Sequence, residues 1–150
     1  MNMYIAYMLV VTILSAWLPV GAVEPIAVIT AVSNPLNTLS FDALNLIYLR
    51  KSQMDMEGNR WIPLNLPVND PLRRNFSLVL FSMLPEELDD YWNIQYFNGI
   101  SPPKVMASEE AILRFVASTP GSIGYVDKEK VDSRVKVLLF IGFCARYPVL

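Results

Sequence analysis

Apolar and polar positions alternate along this chain in two distinct periods, and the switches between them mark out the elements. Ile26 to Val32 is rich in β-branched residues and predicts a buried strand. Ser40 is placed to cap a helix on which Phe41, Leu44, Ile47 and Tyr48 share one face. Ser52 to Asn59 is polar with a glycine, which predicts a loop or hairpin tip, and Trp61 to Leu66 returns to strand character. Asp70 opens the next helix, with Phe76, Val79, Leu80 and Met83 as its buried stripe. Pro85 starts another, with Glu86, Glu87, Asp89 and Asp90 in the first turns, where the helix dipole favours carboxylates, and Leu84, Leu88 and Tyr91 toward the core. Pro102-Pro103 ends the segment that follows. Ser108 caps a helix running to Ser118 with Ile112, Phe115 and Val116 apolar, Thr119-Pro120-Gly121 breaks it, and strands follow at Ile123–Val126 and Val135–Phe140. Strands alternating with helices predict an α/β fold, a sheet covered on both faces.

At 150 residues, with 53% hydrophobic and 17% charged residues, the chain is long enough and apolar enough for one domain with a real core. The net charge is −2 and the pI about 5.1, so there is no basic excess for nucleic-acid binding. There is no histidine, which removes histidine-based triads and the common zinc sites, and the one cysteine, Cys144, cannot form an intrachain disulfide. Nothing in the pattern calls for a cofactor.

Residues 1–23 carry no charged side chain, Tyr4 to Leu18 is almost wholly apolar, and Val20-Gly21-Ala22 follows Pro19. This predicts a signal peptide over 1–22, cleavage after Ala22, a single domain over 23–150 and a periplasmic or secreted protein. An uncleaved segment holding the protein to the membrane is the alternative. The apolar stretch is shorter than the roughly 20 residues of a spanning helix.

Candidate chemistry is sparse. Glu86, Glu87, Asp89 and Asp90 lack the alternating oxygen ligands and glycine turn of a calcium loop and read as a solvated helix start. Tyr91, Trp92, Tyr96 and Phe97 could stack on a ring-bearing ligand, but packing is the simpler account. Thr119 to Gly124 contains glycine but lacks the Gly-Lys-Ser/Thr ending of a phosphate loop and reads as a tight turn. Cys144 has no histidine base, and Ser33, Ser40, Ser82 and Ser108 show no partner pattern, so an enzyme is not expected.

The start Asp70-Pro71-Leu72-Arg73-Arg74-Asn75-Phe76 is the most informative segment. A helix N-terminus offers free N–H groups and a positive dipole end to an anion. Here the capping position already holds a carboxylate, and Pro71 lacks one of the donors. Asp70, Leu72, Arg73 and Arg74 are the candidate ligand-binding residues; one of the two arginines is expected to point to solvent or pair with a carboxylate.

The segments Asn34-Pro35-Leu36-Asn37-Thr38-Leu39-Ser40, Leu44 to Lys51, Tyr91-Trp92-Asn93, Phe97-Asn98-Gly99, Ser101-Pro102-Pro103, Ser108-Glu109-Glu110-Ala111 and Val116 to Val126 occur in an order and spacing that resembles the phosphate-binding proteins of ABC importers. These belong to the type 2 periplasmic-binding-protein superfamily, and the resemblance covers residues 26–140. It implies one lobe of that fold, a mixed sheet flanked by helices. Two lobes of such proteins close on the anion, and one contributes an Arg and then a Ser-Gly-Thr at a helix N-terminus. By spacing to Phe76, that Ser-Gly-Thr falls on Asp70, Pro71 and Leu72 and the Arg near Leu66, so the ligand-binding residues are not kept. Only the lobe with this turn is covered, so hinge closure is not expected within these residues. Two functions remain open. One is an extracytoplasmic solute-binding-like protein that takes phosphate or another small oxyanion weakly or with a protein partner. The other is a single-lobe protein-interaction module with no small ligand.

Overall fold

The computed structural model describes residues 25–142; the expected signal segment, the cleavage point and Cys144 lie outside them. The first strand, β1 (Ile26–Ala31), is buried at every position, as its β-branched run requires. It lies within a five-stranded sheet of order β3-β2-β4-β1-β5, with β2 (Ile62–Asn65), β3 (Lys104–Val105), β4 (Ser122–Asp127) and β5 (Val135–Ile141). The sheet is mixed: β1 runs antiparallel to both β4 and β5, whereas β2 runs parallel to β4 and β3. The helices are α1 (Phe41–Tyr48), α2 (Pro71–Phe81), α3 (Asp89–Phe97) and α4 (Glu109–Ser118). None among the described residues is long and apolar enough to cross a membrane.

Helices cover both faces, and β4 shows why. Successive strand residues point to opposite sides. On one side Gly124 lies against α4, so close that an added Cβ would sit 2.6 Å from Cγ2 of Ile112. On the other side Tyr125 stacks on Phe76 of α2, with ring centroids 3.8 Å apart and planes 6° from parallel. Tyr48 of α1 completes the cluster, edge-on to Phe76 at 4.8 Å. All three rings are buried to within 1% exposure, so the two tyrosine hydroxyls need partners. The Tyr48 hydroxyl donates to the Leu64 carbonyl at 2.9 Å, and the Tyr125 hydroxyl donates to Asn65 Oδ1 and accepts from the Leu66 N–H, both at 3.2 Å.

The helix starts follow the capping residues. Ser40 accepts from the Ala43 N–H and Ser108 from the Ala111 N–H, each at 3.1 Å. The segment from Pro85 begins as a 3-10 turn, Pro85–Leu88, before α3; Leu88 is buried, while Leu84 and Tyr91 are half-buried. The expected hairpin tip is present, closed by a bridge between Met54 and Arg60.

Three details depart from the pattern. Met83 is 44% exposed rather than buried, because α2 ends at Phe81 and Ser82 takes a left-handed conformation (φ 59°), which breaks the helical period. Trp61 is buried but precedes the strand, which starts at Ile62. Strand β3 has two exposed residues, too few to leave a periodic trace. The close fit at Gly124 gives a test. Gly124→Ala should destabilise the protein by ~1–3 kcal/mol, the usual range for overpacking, measured as a lowered urea midpoint at unchanged slope.

Candidate functional site

The Phe76–Tyr125 stack fixes the start of α2 beside the ends of β2 and β4, and the donors of its first turn can be followed one by one. The Asp70 N–H bonds the Pro67 carbonyl at 3.0 Å. Pro71 has no N–H. The Leu72 and Arg73 N–H groups both donate to Oδ1 of Asp70, at 2.8 and 3.3 Å. The Arg74 N–H makes the first helical bond, to the Asp70 carbonyl at 3.0 Å. Every donor of the turn is therefore taken by the chain itself.

The other candidate residues separate. Leu72 is half-buried and packs against the core. Arg74 pairs with Glu86 through two hydrogen bonds of 3.0 Å each, which holds the Glu86 carboxyl below its ordinary range. Arg73 points elsewhere: its Nε and Nη1 are enclosed and have no hydrogen-bond partner. Burial pushes its pKa below the ordinary arginine value, with Tyr125 and Tyr48 acting in the opposite direction.

A cleft of about 550 Å³ opens between the starts of α2 and α4. Its charged groups form a network that sequence inspection did not single out. Glu109 accepts from the Asp127 N–H at 2.7 Å and from Lys130 Nζ at 2.6 Å. Glu110 accepts two bonds from Arg134, at 2.9 and 3.0 Å, and one from Arg114 at 2.9 Å. Asp132 also pairs with Arg134, at 2.7 Å. The arginines hold the Glu110 carboxyl down to about 2. Asp70, Glu109, Glu110 and Asp132 thus face the cleft with Lys130 and Arg134, an acidic excess that opposes a free anion. Glu110–Arg114 and Asp132–Arg134 are local pairs, but Glu109–Lys130 and Glu110–Arg134 join segments 21 and 24 residues apart, which no periodicity in the sequence signals.

The five-stranded mixed sheet and its helices match one lobe of the periplasmic-binding fold seen in solved phosphate-binding proteins. Among solved structures the chain is similar to a protein from Clostridium perfringens, described as a phosphate ABC transporter substrate-binding protein with bound phosphate, at TM-score 0.64 and 20% identity over 77% of this chain and 44% of that one. It is likewise similar to an ABC-type phosphate transport receptor from Vibrio cholerae, at TM-score 0.64 and 17% identity over 77% and 45%, and to PstS from Borrelia burgdorferi, at TM-score 0.58 and 14% identity over 77% and 46%. The chain spans less than half the length of these structures. No family model matches the sequence, and no curated protein matches it.

The network predicts a pH dependence. A carboxyl held at about 2 instead of 4.5 stabilises the folded state above pH 4.5, and that contribution is lost as pH falls from 4.5 through 2. Denaturant midpoints should fall across this window, and Arg134→Gln should make the fall shallower while leaving the neutral-pH fold intact.

Proposed function

We propose that this chain is an extracytoplasmic solute-binding-like protein in which the anion turn of a phosphate-binding lobe is filled by the protein's own Asp70 carboxylate. The observation that carries this reading is the complete use of the first-turn donors by Asp70 and the backbone. The fold supports the solute-binding part, since proteins with this lobe include one solved with bound phosphate. The uncharged, apolar N-terminal stretch supports a location outside the cytoplasm. The same geometry sets a low affinity for free phosphate. An incoming dianion would meet Asp70 and the acidic cleft, and hydrogen bonds to charged groups are worth ~1.5–3 kcal/mol each, so two lost donors weaken binding about a hundredfold or more.

A second reading, a protein-interaction module with no small ligand, is favoured by one feature. Helix α3 has no buried residue and leaves Ile94, Tyr96 and Phe97 61%, 71% and 89% exposed. Such a cluster is the kind of surface that binds other proteins.

Phosphate titration of the purified protein separates the two. Wild type is expected to bind phosphate with a dissociation constant of about a millimolar or weaker. Asp70→Asn keeps a capping side chain and removes the charge, so it should bind more tightly. Asp70→Ala should lower stability by ~0.5–2 kcal/mol, as for other lost N-caps. Micromolar binding by wild type, abolished in Asp70→Ala, would invert the role assigned to Asp70. No binding by wild type or by Asp70→Asn would leave the interaction module as the reading.

Location has its own test. Intact mass of the protein from a periplasmic or secreted fraction should correspond to a chain beginning at Val23. Recovery of all 150 residues in washed membranes would favour an uncleaved anchor instead.

A further inference from the structure

We propose, resting on the protein-interaction reading, that the outer face of α3 docks a basic amphipathic helix of another protein, whose apolar side chains lie on Ile94 and Phe97 and whose cations meet Asp89 and Asp90. Such docking is independent of whether the cleft at α2 takes a solute.

Helix α3 carries its apolar residues on the side that a core does not reach. Toward the protein it turns Tyr91, Trp92 and Gln95, all half-buried, behind the buried Leu88. Toward solvent it turns Ile94, Tyr96 and Phe97, the last left 89% exposed, together with Asp89, Asp90 and Asn93. A glutamine inward and a phenylalanine outward invert the order of an ordinary surface helix. Single exposed apolar side chains are normal, but three on one helix of nine residues form a patch. The patch is also ordered. Asp90, Ile94 and Phe97 stand at i, i+4 and i+7, and Asp89, Asn93 and Tyr96 repeat that spacing one residue earlier. Two stripes therefore run along the outer face, each starting at a carboxylate and ending at an aromatic ring. Helical spacing on one side is met best by helical spacing on the other, with apolar anchors and a cation on one face of the partner.

A groove of about 350 Å³ lies beside the start of this segment, between the ends of α1 and α2, with Leu49, Leu80, Phe81, Met83, Leu88 and Tyr91 in its walls. Two of its polar side chains are engaged: Asn45 donates to the Leu80 carbonyl at 2.9 Å and Tyr91 to the Leu49 carbonyl at 2.6 Å. The groove thus offers apolar wall to one further anchor of the partner.

The charges select the partner. Glu86, Glu87, Asp89 and Asp90 are all exposed, and the sequence has no Lys or Arg between Arg74 and Lys104. Arg74 pairs with Glu86, Glu87 caps the Leu84 N–H at 2.6 Å, and Lys51 lines the groove. Asp89 and Asp90 enter no ion pair among the described residues. This end of the helix is acidic and attracts a cationic segment, while the Tyr96 and Phe97 rings add faces on which Lys or Arg can rest. An anionic lipid surface would be repelled by the same carboxylates. The α3 of a second copy would bring matching carboxylates and no cation.

The test is fluorescence anisotropy with two labelled helical peptides of about 18 residues, roughly five turns, built of leucine with lysine or of leucine with glutamate on the polar face. Wild type should bind the Leu/Lys peptide saturably and the Leu/Glu peptide about tenfold more weakly or not at all. The Ile94→Ser/Phe97→Ser variant, altered only at exposed positions, should lose about tenfold or more in affinity for the Leu/Lys peptide. Asp89→Asn/Asp90→Asn should bind it more weakly and with a shallower salt dependence. Equal binding of both peptides, lost in Ile94→Ser/Phe97→Ser, would overturn the charge preference and leave the interaction reading standing. Peptide binding unchanged in that variant would place the contact elsewhere and overturn the proposal. So would Phe97-dependent self-association in sedimentation velocity, which assigns the face to a second copy. Phe97-dependent flotation with vesicles of phosphatidylcholine and phosphatidylglycerol would overturn it in favour of a membrane. Failure to bind either peptide, with no self-association and no flotation, would remove the docking face and the interaction reading together.

Discussion

The stack of Tyr125 on Phe76 is the contact on which the placement of the candidate site depends. It joins the middle of the sheet to the second turn of α2, and through the Tyr125 hydroxyl it also holds Asn65 and Leu66 at the end of β2. Offset aromatic pairs add ~0.5–1.5 kcal/mol beyond the area they bury, but here the geometric role matters more. With Tyr48 edge-on to Phe76 and bonded to Leu64, three rings fix α1, α2, β2 and β4 against one another. The start of α2 cannot shift along the sheet without breaking a buried hydrogen bond or opening a gap beneath Phe76.

That rigid placement gives the turn its chemistry. A helix start held at the edge of a cleft would present unsatisfied N–H groups to whatever enters. In this chain the requirement is met locally, by a carboxylate one residue outside the helix. The same solution recurs around the cleft, where Ser108 caps α4 and Glu109 accepts from the Asp127 backbone while pairing with Lys130. The donors of the α2 start are spent on Asp70 and on backbone carbonyls, and at α4 the Ala111 N–H is spent on Ser108. The fold is shared with phosphate-binding proteins at under 25% identity, and such likeness carries architecture without carrying the site.

The sequence made the architecture readable because local signals and burial agreed. Ser40, Asp70 and Ser108 each precede a helical apolar stripe, and β1 reads as a buried strand over its whole length. The misses have specific physical causes. Strand β3 is two residues long, Ser82 ends α2 through a left-handed conformation that no propensity signals, and the Glu109–Lys130 and Glu110–Arg134 pairs are assembled by tertiary contact. Adjacent arginines are the plainest case. Arg73 and Arg74 are the same residue type one position apart, and helical geometry turns them by about 100° from each other. One reaches Glu86 at the surface and the other is directed inward, a difference that depends on where α2 sits on the sheet.

Asp70 and Arg73 together make an arrangement that stability alone does not favour. If stability were the only constraint, an inward-facing arginine would be replaced by an apolar residue of similar volume, or its guanidinium would take the nearby carboxylate. Neither has happened: the carboxylate serves the backbone, and the guanidinium keeps two enclosed nitrogens without a partner. The chain closes the usual place for an anion with one charge and holds an unmatched opposite charge a single helical turn away. Among the described residues Arg50 Nε shares that condition, so the packing of α1 and α2 on the sheet carries the cost of three enclosed guanidinium nitrogens, and the placement of the helices outweighs the hydrogen bonds those nitrogens forgo.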